Sequence, residues 1–234
     1  MNAVRFFVAG TDTGVGKTRI TAGLLAAGRA AGLAVAGMKP VASGAEIHEG
    51  GLVSADALMI AEASGQVTPY KKLNPYCLLD AISPHIAANR TNIHIDIRKI
   101  AEIAKQLAAR HELLLIEGAG GWYTPISEME SMADIAKAIA APVVLVVALR
   151  LGCLNHARLT REAIARSGCS MAGWIGTHVD EYFAASVENV ATLERLMGAP
   201  PLAVLPHAFD AARDASHLRE ALSRLHPALV LEAR

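Results

Sequence analysis

The chain has 234 residues, 53% of them hydrophobic, which is enough for one sizeable core in a single domain spanning 1–234. Lysine and arginine total 22 against 22 acidic residues, so no net field draws the chain to nucleic acid or to an anionic membrane, and small molecules are the expected partners. Cys77, Cys153 and Cys169 lack CxxC spacing, and the longest apolar stretch, Ala138 to Leu149, is broken by Pro142 and too short to span a bilayer; a cytoplasmic location is expected.

Taken in chain order, "VRFFVAG" predicts a strand, followed by the glycine-rich "GTDTGVGKT" and a helix over "KTRITAGLLAAGRAAG" that Gly32 ends. "LAVAGMKP" predicts a second strand closed by Pro40, and "SADALMIAEASG" a helix with Ser54 or Asp56 near its start. Between Leu73 and Arg90 the punctuation by Pro75 and Pro84 predicts loops and a short helix lying over the sheet rather than a core strand. "IDIRKIAEIAKQLAAR" has apolar residues at helical spacing, and "ELLLIEG" is an apolar strand meeting a carboxylate. Helices over 131–141, 155–168, 188–198 and 215–225 then alternate with strands over 142–149, 171–180 and 200–206.

Strands apolar on both faces and separated by helices predict an α/β, doubly wound, mainly parallel sheet with helices on both faces. Such sheets bind ligands beyond the carboxyl ends of their strands. The candidate loops are therefore Gly10 to Thr18, Lys39 to Gly44, Glu117 to Gly121, Arg150 to Asn155, Thr177 to Asp180 and Pro206 to Phe209.

"GTDTGVGKT" is a variant of the common phosphate loop, with five residues rather than four between Gly10 and Gly16. Gly14 and Gly16 let backbone N–H groups turn inward, Lys17 can reach the β and γ phosphates, and the Thr18 hydroxyl can coordinate magnesium at a helix N-terminus. Glu117, at the end of a buried strand, needs a cation, and magnesium is the economical one. Asp56 reads equally as a second metal carboxylate and as a helix N-terminal acid. Lys39 sits at a strand end, where a cation faces the same crevice as Lys17 and can gather negative charge from nucleotide and second substrate.

Together, "GTDTGVGKT", "GMKPVASG", "SADAL", "NPY", "SPH", "EGAGGWYTP", "LGCLNHA" and "AGWIG" resemble the dethiobiotin synthase family, in order and from the first strand to about Gly176. The resemblance implies a P-loop NTPase-like fold, a homodimer, and an ATP-dependent cyclo-ligase of biotin biosynthesis that turns 7,8-diaminononanoate, CO2 and ATP into dethiobiotin, ADP and phosphate. Matching position by position, Thr13, Gly14, Val15, Gly16, Lys17 and Thr18 would hold the phosphates, with Glu117, Gly118, Ala119 and Gly120 beside them. Mg²⁺ would lie among Thr18, Asp56 and Glu117. Lys39, Lys17 and Thr11 would serve the chemistry, Thr11, Lys39 and Ser43 would meet the carbamate, and Leu151, Gly152, Cys153 and Asn155 would bind the substrate carboxylate near the dimer interface, Cys153 through its backbone.

The family commonly carries an asparagine for adenine after "GW", whereas this chain reads "GWIGTHVD" with Thr177 in that place. A lone hydroxyl cannot both donate to and accept from a base edge as an amide does, so relaxed base selectivity is expected, with His178 or the main chain of Pro206, His207 and Ala208 as the other candidates for reading the base. Trp122 and Tyr123 are expected to pack rather than to stack a base, and His85 and His156 lie in family-like blocks without an assigned role. Two rivals are weighed. A P-loop switch ATPase of the partition or septum-positioning type would carry an early lysine where Asp12 stands and a basic membrane-binding helix that "HPALVLEAR" lacks; an amidating synthase would need a glutaminase domain.

Overall fold

The computed structural model describes residues 3–65, 68–208 and 211–225, so Phe209 and the terminal "HPALVLEAR" lie outside the described residues. Strand β1 (Val4–Gly10) runs through a glycine-rich loop into helix α1 (Lys17–Ala30), and β2 (Val35–Met38) follows. Two short strands, β3 (Val41–Ser43) and β4 (Glu46–His48), lead to β5 (Gly51–Val53), α2 (Ala55–Ser64), α3 (Tyr70–Leu73), β6 (Tyr76–Leu78) and α4 (Pro84–Arg90). Next come α5 (Ile97–Ala108), β7 (Leu113–Gly121), α6 (Met132–Ile139), β8 (Val143–Ala148) and α7 (Cys153–Arg166), then β9 (Met171–Thr177), α8 (Ser186–Met197), β10 (Ala203–Leu205) and α9 (Ala211–Leu225).

The main sheet has six strands in the order β10-β9-β8-β1-β7-β2, and every pairing in it is parallel. Its central strands are apolar on both faces because each face is covered. Phe7 and Ala9 of β1, Leu114 and Ile116 of β7, and Val143, Leu145 and Val147 of β8 pack with α5, α6, α7 and α8. The alternate residues Phe6 and Val8, Leu113 and Leu115, and Val144 and Val146 pack with α1, α2 and α9. The sheet is thus doubly wound, as expected.

Local chemistry sets the helix starts that matter here. Gly16 caps α1 with φ 89°, a left-handed backbone that glycine adopts without strain. At α5 the Asp96 carboxylate accepts from the amides of Arg98 and Lys99, and at α6 Ser131 and Asp134 form a capping box.

The segment between β2 and α5 differs in detail from its sequence reading. Tyr76–Leu78 is a strand, paired in parallel with Val41–Ser43 outside the main sheet, and Glu46–His48 pairs antiparallel with Gly51–Val53. Strands of three residues carry too few side chains for a period-two pattern to show. The short helix expected near Pro84 is α4, with that proline in its first turn.

Candidate active site

The residues facing the carboxyl ends of β1, β2 and β7 converge on a cleft of about 820 Å³ lined by Gly14, Lys17, Thr18, Lys39, Ser43, Asp56 and Glu117, among others. The phosphate loop approaches its own backbone so closely that a Cβ on Gly10 would lie 2.7 Å from Val15 Cγ2 and 2.9 Å from the Asp12 carbonyl oxygen. Lys17 folds back over this loop and donates to the Asp12 carbonyl at 2.9 Å. It is only 7% exposed, and burial, followed by the nearby charge of Lys39, lowers its pKa to about 8.

Glu117 stands opposite Val8 in the sheet register and is fully buried. Its Oε1 accepts from the Thr18 hydroxyl at 2.8 Å and from Lys39 Nζ at 2.5 Å. Lys39 Nζ also lies 2.8 Å from Asp56 Oδ2, so one ammonium bridges carboxylates from β7 and α2. The cation that the sequence demands beside Glu117 is, in this structure, Lys39. Burial works to lower the Lys39 pKa, but the Glu117 and Asp56 charges outweigh it and hold it above the ordinary lysine value. For Asp56, burial works to raise the carboxyl, and Lys39 with Thr18 and Lys17 overcomes it and keeps it low.

Two polar atoms here have no protein partner: Glu117 Oε2 and Ser43 Oγ. An orphaned carboxylate oxygen in a buried, cation-lined crevice is costly unless a ligand answers it. Thr18, Asp56 and Glu117 offer hard oxygen donors only, which fits Mg²⁺, an ion content with one or two carboxylates when phosphates supply further oxygens. Among the described residues no three His, Cys, Asp or Glu gather as an all-protein metal cage.

The other expected site residues divide between this cleft, a second one and the surface. Thr13, Ala119 and Gly120 line the same cleft, whereas Thr11 lines a second one of about 570 Å³ with Asp12, Gly121, Tyr123, Leu159 and Arg166. Val15 is buried beneath the loop, and Gly118 lies against Phe7. Leu151, Gly152, Cys153 and Asn155 line neither cleft: Leu151 is 93% exposed, Asn155 is exposed, and Gly152 and Cys153 open α7. Burial pushes the Cys153 thiol up. Trp122 packs edge-on against Phe7 and donates to Ser167, and His85 pairs with Ser83 at the cleft rim.

Thr177 is 2% exposed, and its hydroxyl donates to the Val15 carbonyl at 2.7 Å, tying β9 to the phosphate loop. That hydroxyl's proton is committed inward. His178 Nε2 meets Ser186 Oγ at 3.2 Å. A residue that the sequence reading missed organises Pro206, His207 and Ala208. Arg19 pairs through two nitrogens with Asp214 at 2.5 and 2.7 Å and donates to the carbonyls of Pro206 at 2.7 Å and Ala208 at 2.9 Å. No motif marks it, because its partners lie almost two hundred positions downstream.

A six-stranded parallel sheet with a phosphate loop at the carboxyl end of its central strand defines a P-loop NTPase-like protein. Solved structures share that fold: the septum site-determining protein MinD with Mg-ADP from Pyrococcus horikoshii aligns with TM-score 0.62 at 17% identity over 100% of both chains. A ParA family ATPase from Chlorobium tepidum aligns with TM-score 0.56 at 13% identity, over 96% of this chain and 93% of that one. A family model described as an AAA domain matches residues 4–214. The ATP-dependent dethiobiotin synthetase BioD of Chromohalobacter salexigens is 45% identical over 219 residues, 90% of this chain and 92% of its own. Its counterpart in Yersinia pestis is 39% identical over 98% of this chain and 95% of its own. The chain belongs to the ATP-dependent dethiobiotin synthetase family.

Proposed function

We infer that the chain is an ATP-dependent ligase that makes dethiobiotin, and that it does so as one domain over 1–234. The observation that carries this reading is 45% identity across 90% of the chain, at a level where the distant switch ATPases share only the fold. In the reaction proposed, a neutral amine of 7,8-diaminononanoate attacks CO2, a C–N bond forms, and the nitrogen loses a proton to give a carbamate. The carbamate oxygen attacks the γ-phosphorus of ATP and ADP leaves. The second amine then attacks the carbonyl carbon and expels phosphate, closing the ureido ring.

The residues in the cleft suit that sequence. Lys39 and Lys17 place two ammonium groups where the carbamate and γ-phosphate would meet, stabilising anions and lowering the pKa of a nearby substrate ammonium. Thr18, Asp56 and Glu117 would hold Mg²⁺, which when bound supplies charge neutralisation for the phosphate oxygens. No protein nucleophile is needed, because positioning and charge neutralisation carry phosphoryl transfer, and ring closure joins two groups of one molecule.

The second cleft and its exposed apolar rim, Tyr123 at 58% and Leu159 at 58%, support a homodimer in which Thr11 and the Leu151 to Asn155 segment meet the substrate chain. Among the described residues no helix is long and apolar enough to cross a membrane, and the three cysteines are unpaired thiols, which fits a cytoplasmic enzyme. Lys39→Ala is expected to keep nucleotide binding by calorimetry but to lower ring formation by about 100-fold or more. Near-normal turnover would remove Lys39 from the mechanism.

A further inference from the structure

The Lys39–Asp56 pair is held from behind by a short hydrogen-bonded relay. Asn74, 2% exposed, donates through its side-chain amide to the Lys39 carbonyl at 2.7 Å and to the Tyr76 carbonyl at 3.3 Å. With both amide hydrogens so used, Oδ1 must face the remaining partner, the Tyr70 hydroxyl, which donates to it at 3.0 Å. The same hydroxyl accepts from the backbone amide of Ser54 at 2.7 Å. Ser54 is the N-cap of α2, and Asp56 lies in that helix's first turn. The Ser54 side chain makes no capping bond, so Tyr70 supplies the contact that fixes this helix start.

Every polar atom in the relay is satisfied, and its two ends are the backbones that carry Lys39 and Asp56. Further bonds lock the same corner: the Lys39 amide donates to the Leu73 carbonyl at 2.8 Å, and the Asn74 amide to the Tyr70 carbonyl at 2.7 Å. Cys77 Sγ lies 3.7 Å from the Tyr70 hydroxyl, a weak contact that leaves the two strong ones in charge. Burial above all pushes the Tyr70 hydroxyl well above its ordinary pKa, so it remains a donor.

We propose that Tyr70 and Asn74 are positioning residues that set the separation of Lys39 from Asp56, and so match the metal-holding carboxylate to the carbamate-stabilising ammonium. The relay explains why an ammonium just after β2 and a carboxylate on α2, joined only through a meandering segment, meet at 2.8 Å. It rests on the reading of Asp56 and Glu117 as metal-holding residues given above. Partners behind a metal ligand set its orientation, and losing one costs on the order of 10–100-fold in metal affinity or activity.

Titration of ADP into the protein with and without MgCl2, followed by calorimetry, measures how much the metal adds to nucleotide affinity. Tyr70→Phe keeps the ring and removes only the hydroxyl; it is expected to cut that gain about 10-fold, to leave metal-free ADP affinity unchanged, and to lower kcat with little change in the KM for ATP. Asn74→Ala should do the same, and the double variant should be no worse than the more impaired single one, since both break one relay. A metal gain that survives Tyr70→Phe, or a metal-free affinity that falls by the same factor as the gain, overturns the proposal. A wild-type protein whose ADP affinity ignores MgCl2 overturns the metal-site reading itself, and the proposal with it.

Discussion

Lys17 is a cation held against its own preference for water. Its pKa, lowered to about 8 by burial and then by Lys39, compares with 10.5 for the free side chain, so between those values the unfolded chain binds more protons than the folded one. Ligand-free stability therefore gains from this group as pH rises through that window. A bound phosphate needs the ammonium, so nucleotide affinity moves the other way. Calorimetry of ADP binding in two buffers of different ionisation enthalpy should find proton uptake above about pH 8 and weaker binding as pH rises further; pH-independent binding across the window would contradict the placement of Lys17. Thr177 gives the second expectation at this scale. Its hydroxyl proton is committed to Val15, leaving no amide-like pair for a base, so kcat/KM for CTP and GTP should fall within about tenfold of the value for ATP. A strong ATP preference would assign base reading to His178 or to the main chain of residues 206–208. That Lys39 and Glu117 need charged partners was legible in the sequence, because a charged residue ending an apolar strand advertises an unmet partner. That each is the other's partner was not, because 78 residues separate them and only the β1, β7 and β2 alignment brings them together.

Among the elements, the long apolar strands and amphipathic helices could be read from pattern alone, to within a few residues at their ends. The β3–β6 and β4–β5 pairs could not, because three-residue strands are too short to show a period, even though Val41, Tyr76 and Leu78 of the first pair are buried in the core. Packing between elements also explains positions that sequence leaves silent. Gly37 of β2 faces α1 and α2 so closely that a Cβ would lie 2.1 Å from Ile60 Cγ2 and 2.9 Å from Leu25 Cδ1, both fully buried. Gly37→Ala should therefore destabilise the protein by about 1–3 kcal/mol in urea denaturation, the range for overpacking a filled core. A neutral result would mean that α2 yields freely. Arg19 joins three elements in the same way: from α1 its guanidinium grips α9 through Asp214 and the segment after β10 through the carbonyls of Pro206, His207 and Ala208. Arg19→Met would leave Asp214, 1% exposed, without this cation, and a loss of about 3–5 kcal/mol is expected from breaking a buried pair on one side. A denaturation midpoint like that of the wild type would show that α9 is held by its apolar face alone.

The whole molecule gathers at one sheet edge a phosphate loop, two buried ammonium groups and two carboxylates, and the family to which it belongs gives that arrangement a ring-closing ligation to perform. The rival reading of the sequence, a P-loop switch ATPase, sets the contrasting expectation, ADP release that ignores the diamine. Supplying the pure protein with ¹³C-bicarbonate, 7,8-diaminononanoate and MgATP, and following dethiobiotin by mass spectrometry beside ADP, separates the two most directly. The account predicts dethiobiotin carrying the label at its ureido carbon, formed in step with ADP and only when the diamine is present. ADP released at the same rate without the diamine, with no labelled ring, would contradict it.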